Sequence, residues 1–86
     1  MEVLFKPTFV LQFNRLEFAL QEEVLEKIEF FQNTENHEKL KVHRLKGRLS
    51  GRYSFSVNFK TRIVFSYVSK KEVVLLAVGD NDVYSA

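Results

Sequence analysis

One histidine, His43, sits among five cations within twelve residues: Lys41, Arg44, Lys46, Arg48 and Arg52. Ser54, Ser56 and Arg62 follow. The whole stretch from Lys39 to Arg62 holds eight Lys or Arg and no acid. Imidazole is the one side chain whose ordinary pKa allows it to give and take protons near neutrality. Guanidinium and ammonium groups grip phosphate through charge-assisted hydrogen bonds. Such a set suits a sugar–phosphate chain. Cleavage of RNA requires little more: a base for the 2′-hydroxyl proton, cations for the charge on the phosphorane, and an acid for the leaving 5′-oxygen. The nucleophile belongs to the RNA. The same charges also suit a plain solvated face, and residue types alone do not separate the two.

Other chemistries have no foothold. The three glycines, at 47, 51 and 79, form neither phosphate-loop pattern, and there is no HExxH sequence. With no Cys and two His, no metal site is expected, and no cofactor is called for. No apolar run approaches the roughly 18 residues of a membrane span, so no membrane role is expected. The amino-terminal MEVLFKPTF lacks the charged and long apolar regions of a signal peptide, which points to a cytoplasmic protein.

The elements that must position these residues are legible in the periodicity. The 86 residues suffice for one domain, 1–86, with a modest core. Charge is segregated: residues 1–38 carry eight Glu against Lys6, Arg15 and Lys27, while the net charge of the chain is +2. Val3-Leu4-Phe5 reads as an edge strand, and Pro7 suits the first turn of a helix. Phe9, Phe13, Leu16, Leu20, Val24, Ile28 and Phe31 then step by three or four, as one apolar helical face or two helices broken near Arg15 to Phe18. Asn33 to Glu38 is a polar turn, and its His37 is expected to be exposed and without a role.

The second half alternates. Tyr53, Phe55, Val57 and Phe59 form one face of a strand, with Ser54, Ser56, Asn58 and Lys60 on the other. A turn around Asn58 to Thr61 leads to a second strand with Ile63, Phe65 and Tyr67 on its apolar face. Val73 to Val78 is apolar throughout, as in a strand covered on both sides. The expected fold is α+β, an N-terminal edge strand and a helical hairpin packed on a small antiparallel sheet.

Three segments in this order carry a resemblance: LKVHRLKGRLSGRYSFSV (Leu40 to Val57), KTRIVFSY (Lys60 to Tyr67) and VVLLAVGDNDVY (Val73 to Tyr84). With the leading strand and helices they resemble the RelE/ParE toxin superfamily of bacterial toxin–antitoxin systems, nearer its RelE and YafQ branches. The resemblance implies a microbial-RNase type of fold and metal-independent cleavage of mRNA in the A site of the 70S ribosome, which inhibits translation. Arg62 stands where these toxins keep an arginine at the scissile phosphate. His43 matches a histidine used in proton transfer, and Tyr84 an aromatic that positions a base. Lys41, Arg44, Lys46, Arg48, Arg52, Ser54, Ser56 and Asn81 would bind RNA. The sequence departs from the pattern at Ser54 and Ser56, where relatives keep lysine or histidine, and at Asn81, where they keep histidine or arginine. The proton donor then falls to Tyr84, or to Lys46 or Arg48. The resemblance also implies a cognate antitoxin that shields Arg62 or displaces Tyr84. Two alternatives stay open: a ParE-like inhibitor of DNA gyrase, and a decayed toxin that only binds its antitoxin.

Overall fold

The computed structural model describes residues 1–80 and Val83. The apolar stripe divides into two helices, α1 (Pro7–Asn14) and α2 (Phe18–Phe31). Pro7 sits in the first turn of α1, where its missing N–H costs nothing. The break falls at Arg15 to Glu17, and Glu17 is extended. Gln21 of α2 donates to the Phe13 carbonyl at 2.9 Å. That carbonyl also accepts the Leu16 N–H at 3.1 Å, so the Gln21 bond adds a side-chain tie between the end of α1 and α2.

Five strands form one sheet in the order β1 (Glu2–Phe5), β5 (Glu72–Gly79), β4 (Arg62–Tyr67), β3 (Tyr53–Ser56), β2 (His43–Arg44). β3, β4 and β5 are the expected antiparallel meander. β1 lies at the edge, as expected, and runs parallel to β5, a pairing that no tight hairpin can make and that the long connection through the helices permits. β2 has no signature in the sequence: two residues are too few to show alternation, and pairing with β3 defines it.

Both helices pack on one face of the sheet. Phe9, Val24, Ile28 and Phe31 meet Phe55, Val57, Ile63, Phe65, Val73, Leu75 and Val78 there. Phe31 is central: its ring stacks on Phe55 at 4.4 Å and meets the edge of Phe65 at 4.9 Å. β5 carries a bulge, so that Leu75 pairs with Phe65 and Val78 with Ile63. The extra residue lets two positions three apart face the same helices. On the other face a smaller cluster, Val64, Ala77 and Val83 with Leu45 and Leu76, covers the middle of the sheet. β5 is therefore flanked by apolar groups on both sides, as its unbroken apolar run implied.

Two side chains depart from the sequence reading. Phe59 is not on the apolar face of β3; the strand ends at Ser56, and Phe59 is 93% exposed at the turn. His37 is half-buried: its ring stacks on Phe31 at 4.6 Å and its Nε2 lies 2.9 Å from the Phe31 carbonyl. The carbonyl can only accept, so Nε2–H donates and caps the end of α2.

Candidate functional site

The face of the sheet turned away from the helices gathers the polar candidates. His43 pairs with Ser54, Ser54 with Val64, and Ser56 with Arg62, so all of these leave the sheet on one side. His43 is exposed, and its Nδ1 lies 2.9 Å from the Lys41 carbonyl. That carbonyl accepts, so Nδ1 carries the hydrogen, and in the neutral ring the lone pair is on Nε2, the form required of a base. Lys41 has a φ of +59°, an uncommon conformation for a residue with a side chain. The left-handed turn there sets the direction of the carbonyl that holds the imidazole.

Arg62 opens β4 and is half-buried. Its Nη1 donates to the carbonyls of Asn58 at 2.7 Å and Thr61 at 3.3 Å. Both bonds use one nitrogen, so among the described residues Nε and Nη2 keep their donors for a ligand. The one ion pair among the described residues joins Lys27 to Glu26, far from this face in the sequence. Among the described residues the charge of Arg62 is thus held by carbonyl dipoles and meets no carboxylate.

Asn58 organises the turn that delivers Arg62. Its Oδ1 accepts from the N–H groups of Lys60 at 2.9 Å and Thr61 at 2.8 Å, which closes the turn as an Asx motif. Its Nδ2 donates to Glu23 of α2 at 2.8 Å. Beside it opens a cavity of about 360 Å³ lined by Lys39, Lys41, Ser56, Asn58, Phe59 and Arg62. Three cations, a hydroxyl and one exposed aromatic ring form its walls.

The structure brings together Lys41, Ser56 and Arg62, and joins His43 to them through the Lys41 carbonyl. It sets others apart. Ser54 is 0% exposed, beneath the row that runs from His43 to Val64, and does not reach the surface. Arg44 alternates with His43 on β2 and pairs with Tyr53, whose ring packs with Phe65, so it leaves the sheet on the helix side. Arg52 lines a separate cavity of about 260 Å³ with Lys6, Thr8, Gln12, Val64, Leu76, Ala77 and Val83. Lys46 and Arg48 are exposed on and beside the 3-10 turn Gly47–Leu49. Tyr84 and Asn81 lie outside the described residues. The sequence reading put Asn58 on the polar face with Ser54 and Ser56, but missed Lys39 and Phe59 as members of the site. Asn58 was the available signal: a turn former there ends the strand before Phe59.

No protein-family model matches the sequence, and no curated protein matches it. Solved structures do. A conserved hypothetical protein from Helicobacter pylori aligns with a TM-score of 0.74 and 18% identity over 95% of this chain and 96% of that one. YafQ from Escherichia coli gives 0.72 and 11%, over 99% and 98%. The toxin–antitoxin complex RelBE2 of Mycobacterium tuberculosis gives 0.71 and 22%, over 93% and 96%. The chain has the RelE/ParE toxin fold. In this RelE-like fold the helices occupy one face of the sheet, and His43, Ser56 and Arg62 occupy the other.

Proposed function

We propose that this chain, 1–86, is a single toxin domain of a toxin–antitoxin pair, a cytoplasmic endoribonuclease that cuts mRNA in the ribosomal A site. The observation that carries the reading is the pairing of an oriented imidazole with an arginine lacking a carboxylate partner among the described residues. Two strand spacings and two residues of rise put their Cα atoms roughly 12 Å apart. Side chains of these lengths can meet on one phosphodiester group between them. His43 Nε2 takes the proton of the 2′-hydroxyl, whose oxygen attacks the adjacent phosphorus. Arg62 stabilises the added negative charge through its remaining N–H groups. The 5′-oxygen leaves with a proton from Tyr84, since Lys46 and Arg48 stand apart on the turn at Gly47–Leu49. Lys41 and Ser56 hold the chain beside the reacting phosphate.

The antitoxin follows from the same reading. Solved neighbours of this fold include a RelE–RelB complex from Pyrococcus horikoshii and a YoeB–YefM complex from Staphylococcus aureus. On the helices of this chain Val10, Leu11, Phe18, Leu25 and Phe30 are exposed. A partner segment with an apolar face suits them.

The test is cleavage of a defined mRNA with and without programmed 70S ribosomes, with 5′ ends mapped, for wild type, His43→Ala and Arg62→Ala. Ribosome-dependent cuts that fall by at least about 100-fold in Arg62→Ala are expected, the scale set by loss of a group that binds only the transition-state charge. Cuts that survive this substitution overturn the site assignment. Absence of cuts from folded wild-type protein overturns the nuclease reading, and a gyrase supercoiling assay then tests the ParE-like alternative.

A further inference from the structure

We propose that the cavity between residues 39–41 and the β3–β4 turn is a subsite for one unstacked nucleotide of RNA, with its base on the ring of Phe59 and its phosphate held by Lys39 and Lys41. The proposal rests on the ribonuclease reading and extends it to the nucleotide beside the phosphate at Arg62.

Among the described residues Phe59 is the most exposed of the large apolar side chains, at 93%, whereas Phe9, Phe31, Phe55 and Phe65 are almost completely buried. Its position is not slack. The residues on either side are tied down: Asn58 Oδ1 receives two backbone N–H groups, and Asn58 Nδ2 is bonded to Glu23 on α2. The turn therefore presents an aromatic ring on a fixed support, which lowers the entropy lost on binding. An apolar pocket would suggest an apolar ligand. Here the rest of the wall is Lys39, Lys41, Ser56, Asn58 and Arg62, and none of the lining residues is acidic. An aromatic face next to cations and a hydroxyl matches a nucleotide, which offers a π-face and an anion at once. The volume of about 360 Å³ is small and fits one such unit, not a longer stretch. Stacking accepts any base, so this subsite would supply affinity and register more than sequence choice.

The measurement is binding of two fluorescein-labelled hexamers by anisotropy: 2′-O-methyl hexauridylate, and an abasic ribose–phosphate hexamer with the same charge. Wild type, Phe59→Ala, Phe59→Leu and Phe59→Trp are compared, with circular dichroism confirming that each is folded. Phe59→Ala and Phe59→Leu should weaken uridylate binding by about 5- to 150-fold, the range for loss of one stacked base, and Phe59→Trp should restore it. The abasic hexamer should bind all four proteins alike. Lys39→Ala should lower the slope of log K against log salt by about 0.7, the share of one single-stranded phosphate, on both probes. Equal uridylate affinity in wild type and Phe59→Ala overturns the subsite and leaves the ring to a protein partner. If ribosome-dependent cleavage is present and sensitive to Arg62, that failure touches the subsite alone. Wild-type protein that neither binds RNA nor cuts it overturns both.

Discussion

Replacing Asn58 with alanine tests whether one turn side chain holds the site together. Three hydrogen bonds end on this side chain, and their settings differ. The Lys60 N–H is exposed, so water replaces Oδ1 and the loss is about 0.5 kcal/mol. Thr61 is 6% exposed and its bond is partly buried, so an unpaired N–H there costs about 1–1.5 kcal/mol. The bond to the Glu23 carboxylate is charge-assisted and also partly buried, and contributes about 1 kcal/mol after screening. Asn58→Ala should therefore destabilise the protein by about 2.5–3 kcal/mol. For a domain of this size that lowers Tm by roughly 10–20 °C. Urea unfolding followed by circular dichroism reads the first figure and a thermal scan the second. Glu23→Gln keeps an acceptor for Nδ2 and should lose well under half as much. The carbonyl of Asn58 that receives Arg62 remains in the alanine variant, so RNA cleavage at a temperature where the variant is folded should fall only as far as the loosened turn misplaces the guanidinium. A loss below about 0.5 kcal/mol would refute the reasoning, since the turn would then close without its Asx motif.

Two further substitutions separate the faces of the sheet. Lys41→Ala should reduce the salt dependence of RNA binding by about 0.7 in slope, while Arg44→Ala, on the helix side of β2, should leave it unchanged; equal effects would show that both faces touch RNA. Tyr67 should ionise above its ordinary 10.0, because burial and then the neighbouring Tyr53 disfavour the phenolate. A phenol whose folded pKa exceeds its unfolded one releases its proton first in the unfolded chain, so stability should fall as pH rises through about 10 and beyond. Absorbance titration near 295 nm checks the shift, and Tyr53→Phe should relax part of it.

The sequence alone determined the α+β class, the apolar helical stripe from Phe9 to Phe31, the meander, and the concentration of cations around His43 and Arg62. These follow from periods of about 3.6 and 2, which a chain must obey locally whatever packs on it. Tertiary structure decided the rest. Pairing with β3 makes His43 and Arg44 a strand and sends them to opposite faces; two residues carry no period from which to read this. Ser54 looked like surface by alternation, yet it is buried, because the face opposite the helices has a small apolar cluster of its own. Phe59 looked like core by the same alternation, yet Asn58 closes the turn before the strand reaches it. Lys39 and Lys41 meet Ser56 and Arg62 only because the chain runs beside β3 there, with the Ser56 N–H bonded to the Leu40 carbonyl. Periodicity fixes which side of an element a residue takes. Whether that side is covered, and which distant residue stands beside it, depends on chain reversals and pairings that no local pattern encodes.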